Sequence, residues 1–232
     1  MKCYAPWHSI LVRFNGDIVP DGVYKERYGN VLNSSLNTVL NSITASYTKD
    51  SIRNGVLPPE CMQCALKEES VGHSRRLFFR DILNPMLENT NYDYTKNFTD
   101  IYFLEFNMSN ICNLKCRMCN GISSSAWVKD ELKLANLNNN YQRPVKHPEF
   151  GYTNKSEQII ERLFGDPTPL MNLRYLSIKG GEPYMEPANK KILQNFIDLG
   201  IAQNITLDWT TNGTVVDEEV HALAKQFGHT KW

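Results

Sequence analysis

Cys112-Asn113-Leu114-Lys115-Cys116-Arg117-Met118-Cys119 places three thiols within eight residues, directly after the apolar run Ile101-Tyr102-Phe103-Leu104-Glu105-Phe106. Six residues of that make-up read as a buried strand. Sixty residues beyond Cys119, Lys179-Gly180-Gly181-Glu182-Pro183 follows a second apolar run, Leu173 to Ile178. Three clustered thiolates are soft donors, suited to an iron–sulfur cluster or zinc. The same spacing would also lay one stripe along a buried helix. Asn110, Asn113 and Asn120-Gly121 favour turns over a continuous helix, and so favour ligation.

Outward from this stretch, strands and helices alternate. Ser123 to Leu137 reads as a helix. Asn136 to Tyr152, with Pro144 and Pro148, reads as a polar loop, and Ser156 to Phe164 as a short helix with Ser156 at its N-cap. Pro187 to Leu199 is a helix with proline in its first turn and Gly200 past its end. Ile205 to Trp209 is a third strand, and Asp217 to Phe227 a helix stopped by Gly228. Such alternation predicts parallel βαβ units. Thr210-Thr211-Asn212-Gly213, after the third strand, is either a ligand-contacting loop or a turn with Asn-Gly at its positive-φ positions.

Upstream, Ser9 to Phe14 is strand-like, Asn15-Gly16 marks a hairpin turn, and Asp17-Ile18-Val19 returns. Leu36, Val39, Leu40 and Ile43 keep helical spacing over 35–45, and Arg53-Asn54-Gly55 reads as a helix stop. Pro58-Pro59 leads into Cys61 and Cys64. This divides the chain into a small cysteine-bearing module at 1–80, a polar and aromatic connection at 81–99, and an α/β unit at 100–232.

The chain has 232 residues, 41% of them hydrophobic, which fits a globular protein. No apolar run approaches the length of a membrane span, and the N-terminus lacks a secretory apolar segment. A cytoplasmic protein without membrane attachment is expected. Lys plus Arg and Asp plus Glu both number 25, which argues against a dedicated nucleic-acid binder. The six cysteines, Cys3, Cys61, Cys64, Cys112, Cys116 and Cys119, are therefore read as metal ligands rather than disulfide partners. His8, His73, His147, His221 and His229 are scattered and read as surface or satisfied core. Trp127 reads as core. Arg75, Arg76 and Arg80 read either as a basic turn offsetting a cluster's charge or as a solvated helix face.

Strand, C-x3-C-x2-C, then a second strand ending in Gly-Gly-Glu-Pro resembles the radical S-adenosylmethionine superfamily over residues 100–232. The resemblance implies a 4Fe–4S cluster on Cys112, Cys116 and Cys119, with S-adenosylmethionine chelated to the open iron. It also implies reductive cleavage of S-adenosylmethionine and abstraction of a substrate hydrogen atom. Gly180, Gly181, Glu182 and Pro183 would line the methionine amino group, the paired glycines letting backbone approach the ligand. Met118 stands where the family has an aromatic residue against adenine, and Thr211 and Asn212 lie at the same face of a partial (βα) barrel. The family's partial barrel has more strands than the three read here. An incomplete barrel is expected, as in a fragment, a split-gene product completed by another chain, or a self-associating protein.

Cys3-x2-Pro6-Trp7, Asn15-Gly16-Asp17, Gly29-Asn30-Val31, Arg53, Pro58-x2-Cys61-x2-Cys64 and Arg75-Arg76 resemble the twitch or SPASM auxiliary-cluster module, here preceding the barrel. That resemblance implies an auxiliary iron–sulfur cluster on Cys3, Cys61 and Cys64. Asp21 stands near the place of a further cysteine, as an oxygen ligand or beside a site left open. It also implies an electron donor such as a flavodoxin or ferredoxin, and a peptide or protein substrate. The alternatives are a non-enzymatic iron–sulfur electron carrier and a zinc-binding interaction module.

Overall fold

The computed structural model describes residues 3–87, 100–137 and 155–231. In chain order the elements begin with α1 (Ala5–His8), β1 (Ser9–Arg13), β2 (Asp17–Val19), β3 (Gly29–Asn30), α2 (Leu36–Leu40), α3 (Ile43–Arg53), α4 (Met62–Val71) and α5 (Arg75–Leu87). They continue with β4 (Phe103–Asn107), α6 (Ser125–Leu137), α7 (Lys155–Phe164), β5 (Tyr175–Lys179), α8 (Pro187–Asp198), β6 (Thr206–Trp209), α9 (Glu218–Ala224) and β7 (His229–Lys231).

The seven strands form one mixed sheet in the order β3-β2-β1-β4-β5-β6-β7. The hairpin β1–β2 forms as the Asn15-Gly16 turn predicts, with Gly16 at φ +84°. Its partner is unexpected. β1 pairs in parallel with β4, Ser9 opposite Phe103 through Arg13 opposite Asn107. The cysteine-bearing N-terminal segment thus continues the sheet of the α/β unit. From β4 to β7, neighbours in the sheet are also consecutive in the chain and parallel.

Register places Ile10, Leu104, Leu176 and Leu207 in one row, and Val12, Phe106, Ile178 and Trp209 in the next. All eight are fully buried. Ile159 and Leu163 of α7, Ile192, Leu193 and Phe196 of α8, and Val220 of α9 share that core. Each such side chain contributes about 1.5–3 kcal/mol on burial. On the other face, Phe103 stacks on Tyr175 at 4.9 Å and meets Phe79 of α5 edge-on at 5.0 Å. Farther along the same strands that face turns polar. Lys179 bonds Glu105 at 2.9 Å, and Ser177 donates to Asp208 at 3.1 Å.

Several expectations need correction. The helix over 35–45 is two helices, because Ser42 restarts the backbone by capping Ala45 N–H as Ser35 caps Thr38 N–H. Of the connection at 81–99, residues 81–87 are the end of α5, and 88–99 lie outside the described residues. The loop expected at 136–152 lies outside them from 138, as does His147. Ser156 is buried inside a helix already begun at Lys155. A fourth strand, β7, joins the three expected after residue 100. Among the described residues, no helix is long and apolar enough to cross a membrane.

Candidate functional site

The carboxyl ends of β4, β5 and β6 carry three loops that bond to one another. The thiol loop after β4 is built against the start of α6. Asn110, almost fully buried, donates to Gly121 O at 2.6 Å, and its own carbonyl accepts Ser125 N–H at 2.6 Å. Ser125 Oγ accepts Cys112 N–H at 3.3 Å, and Ser124 Oγ donates to Leu114 O at 2.6 Å. The buried Glu131 takes Gly121 N–H at 2.8 Å. Trp127, read from sequence as core, instead donates its indole N–H to Cys116 O at 3.0 Å from a half-buried position. These bonds hold the loop open as turns, so the three thiols do not merge into a helix stripe.

Cys112 and Cys119 are half-buried and Cys116 is exposed. Leu114 N–H points at Cys112 Sγ over 3.5 Å. Burial, and then the neighbouring Cys116 and Cys112 sulfurs, hold the Cys119 thiol above its usual range. Met118 stands 93% exposed between Arg117 and Cys119.

Gly180 (φ +95°) and Gly181 (φ +53°) both need the left-handed region that glycine enters at little cost. The sequence reading gave their missing side chains to ligand approach. In the structure the close neighbour is the thiol loop itself. A Cβ on Gly181 would sit 2.1 Å from Ile111 O, and one on Gly180 would meet the Asn107 side-chain oxygen at the end of β4 and lie 2.7 Å from Ser109 O. Glu182 N–H then donates to Ile111 O at 2.7 Å, fastening the two loops.

The Glu182 carboxylate is fully buried and faces the loop after β6. It accepts Thr211 Oγ1–H at 2.7 Å, Asn212 N–H at 2.8 Å and Tyr184 N–H at 3.3 Å. Pro183 opens the short turn Pro183–Met185, and Glu186 caps α8. The third loop reaches back to the thiols: Asn212 Nδ2 lies 3.6 Å from Cys112 Sγ and 3.1 Å from Asn113 Oδ1. Asn113 Nδ2 donates to Thr214 Oγ1 at 2.7 Å. Asn113 was read from sequence only as a turn former, and Thr214 was not singled out. Asn113's place inside the thiol run was the available signal.

The N-terminal cysteines also converge. Cys3, Cys61 and Cys64 wall two adjoining voids of about 30 Å³ each, with Arg76 in both. Burial pushes the Cys3 thiol up to about 12 and the Cys61 thiol up to about 11. Asp21 lines one void, but its Oδ1 accepts Arg75 Nε at 2.9 Å, Arg75 Nη2 at 2.8 Å and Gly22 N–H at 2.6 Å. The three arginines read as a basic turn lie in α5. Arg75 and Arg76 point inward to Asp21 and Glu68, and Arg80 pairs with Asp81 near the surface.

All six cysteines are free thiols. Among the described residues, no three His, Cys, Asp or Glu side chains already surround one ion position. Exposed His73 joins no cysteine, and His221 bonds Tyr184 OH at 2.6 Å. Comparisons of the chain with protein-family models, curated proteins and solved structures gave no match.

Proposed function

We propose that this protein is a radical S-adenosylmethionine enzyme with a 4Fe–4S cluster on Cys112, Cys116 and Cys119. The observation that carries the reading is the joining of three loops at the carboxyl ends of consecutive parallel strands. The thiol loop, the Gly-Gly-Glu-Pro turn and the Thr-Thr-Asn loop hydrogen-bond to one another there. Carboxyl ends of parallel strands are where α/β sheets and barrels bind ligands. The donor set fits the group: three thiols, one exposed and two half-buried, on a loop whose backbone is fixed by α6. A barrel-type winding is supported by β4 to β7 following one another in order, with α7, α8 and α9 sharing the core on one face.

When bound on Cys112, Cys116 and Cys119, the cluster would supply the one-electron reductive cleavage of S-adenosylmethionine. The chain's part is to hold and shield them. Asn212 Nδ2 orients toward Cys112 Sγ, and the Leu114 N–H adds a second donor to the same sulfur. Gly180 to Pro183 present backbone beside the thiol loop. Glu182 acts through Thr211 and Asn212, fixing that loop with its buried carboxylate. Met118 offers an exposed thioether for packing on adenine. On the polar side of the same strands, half-buried Lys179 and Asp208, bonded to the buried Glu105 and Ser177, would face the substrate. A flavodoxin or ferredoxin would supply the electron, and a peptide or protein would be the substrate.

The test is anaerobic reconstitution with iron and sulfide. A broad absorbance at about 400 nm that bleaches with dithionite is expected of such clusters. Release of 5′-deoxyadenosine from S-adenosylmethionine should accompany it. An iron-loaded, dithionite-reduced sample that releases none overturns the enzyme reading in favour of an electron carrier. Tight zinc retention with no iron uptake would favour an interaction module.

A further inference from the structure

Arg76 is 8% exposed, and its direction is set by one partner. Its Nε donates to Glu68 Oε1 at 2.9 Å and its Nη2 pairs with Glu68 Oε2. This two-point fork fixes the plane of the guanidinium. Ser74 Oγ donates to the same Glu68 carboxylate and, through a 3.1 Å bond from Leu77 N–H, ties it to the first turn of α5. The fork leaves Nη1 on the far side of the guanidinium. Nη1 is buried and, among the described residues, has no hydrogen-bond partner. Arg76 is also a wall of both voids that Cys3, Cys61 and Cys64 enclose.

A buried donor left unmade costs about 1–3 kcal/mol, more when it is charged. Such an atom in a native core calls for an explanation, often a bound group. Three cysteines around two small voids supply the complement, since thiolates and the sulfides of a cluster are negatively charged hydrogen-bond acceptors. Asp21, the neighbouring acid, already answers Arg75. We infer that Arg76 Nη1 is the hydrogen-bond donor to the sulfurs of an iron–sulfur centre on Cys3, Cys61 and Cys64, and that it raises that centre's reduction potential, with Glu68 as the residue that positions it. This rests on the reading of the N-terminal cysteines as an auxiliary cluster site. The physical basis is that net charge and hydrogen bonds to sulfur set cluster potentials. A fixed cation with an N–H toward the sulfurs favours the more negative, reduced state.

The experiment is an EPR-monitored redox titration of the full, reconstituted chain, with iron assayed in parallel. The unaltered protein should hold about eight irons as two cubes. Arg76→Gln should keep its irons yet shift the auxiliary signal down by about 59 mV or more, a tenfold change in the reduced-to-oxidised ratio at fixed poise for one electron. Glu68→Gln, which loosens the fork, should shift it the same way by less. Arg76→Lys, which keeps the charge and one donor, should recover part of the shift. The other signal, the one perturbed by S-adenosylmethionine, serves as internal reference and should not move.

An auxiliary potential unchanged in Arg76→Gln overturns the assignment, and so does Arg76→Lys behaving like Arg76→Gln. Loss of the auxiliary irons in both Arg76 variants also overturns it, because a purely structural latch would do that. Four irons in the unaltered protein would remove the auxiliary site and the inference together. Eight irons without 5′-deoxyadenosine release would sink the enzyme reading while leaving the Arg76 result standing.

Discussion

Asn212 Nδ2 stands 3.6 Å from the sulfur of Cys112, a contact that spans 100 residues of chain. The same amide lies 3.1 Å from Asn113 Oδ1, and Asn212 N–H is held by the buried carboxylate of Glu182. One residue after β6 therefore reads the position of both the thiol loop and the Gly-Gly turn. Loops after three different strands act as one unit, and each can be tested by what its loss does to the others.

Cys116 is the exposed member of the thiol trio, and its backbone carbonyl accepts Trp127 Nε1–H and Cys119 N–H. Cys116→Ala should therefore change apo-protein stability by less than about 0.5 kcal/mol, as a surface substitution does. It should nevertheless lose most iron from this site and all 5′-deoxyadenosine release. Iron analysis and a thermal melt of the same sample make the separation. Full S-adenosylmethionine cleavage by the variant would remove these three thiols from the chemistry.

Gly181→Ala puts a Cβ 2.1 Å from Ile111 O and 2.8 Å from Asn110 C, both backbone atoms of the thiol loop. The loop must move, and iron retention should fall together with S-adenosylmethionine affinity. Gly200 is the control. It also has a positive φ (+71°), but among the described residues no atom beyond its own chain neighbours lies within 4 Å of where its Cβ would be. Gly200→Ala should cost about 1–2 kcal/mol from the left-handed backbone alone and leave iron content intact. Equal iron loss in the two variants, or none in Gly181→Ala, would contradict the packing argument.

That pair shows what the sequence could and could not convey. The strand positions were legible because β4, β5 and β6 are short apolar runs buried on the helix face, and the thiol spacing and Asn-rich turns pointed to an open loop. The grouping of Cys3 with Cys61 and Cys64 came from the resemblance to the twitch or SPASM module, not from their spacing alone. The parallel pairing of β1 with β4 was not legible, because β1 alone carries no mark of which strand lies beside it. Nor was the inward turn of Glu182, whose three donors come from Tyr184, Thr211 and Asn212, two of them about 30 residues away. α4 went unread because it buries none of its residues, and α5, which carries Pro85, was read only as one alternative for its arginines. The pairing of Asp21 with Arg75, 54 residues apart, likewise needed the fold.

Glu182→Gln would turn one acceptor oxygen into an N–H donor where Thr211, Asn212 and Tyr184 all donate. A buried unmet donor of this kind costs about 1–3 kcal/mol, with more lost for a charged partner. The expected result is a denaturant midpoint lowered by that amount and weaker S-adenosylmethionine binding. Iron on Cys112, Cys116 and Cys119 should be largely retained, since no thiol is touched. A stability equal to the unaltered protein would mean that the carboxylate does not hold the loop after β6.

His8 gives the fold a measurable acid sensitivity. It is 1% exposed, packs edge-on against Tyr102 at 5.2 Å, and donates from Nδ1 to Asp100 O at 3.0 Å. Burial lowers its pKa from 6.5 to about 4, against the opposing effect of Asp100, and nearby Lys49 lowers it further. Between those two values the unfolded chain binds a proton that the folded chain does not. The stability contributed by neutral His8 is thus full above pH 6.5 and is lost as pH falls through 4, about 3 kcal/mol in all. His8→Asn keeps a donor where Nδ1–H stands but cannot titrate. Urea unfolding of the cluster-free protein at several pH values, with the variant's curve subtracted, isolates this group. The difference should stay level above pH 6.5 and shrink steadily toward pH 4, and a difference that does not change across that window would show that His8 is not buried in its neutral form.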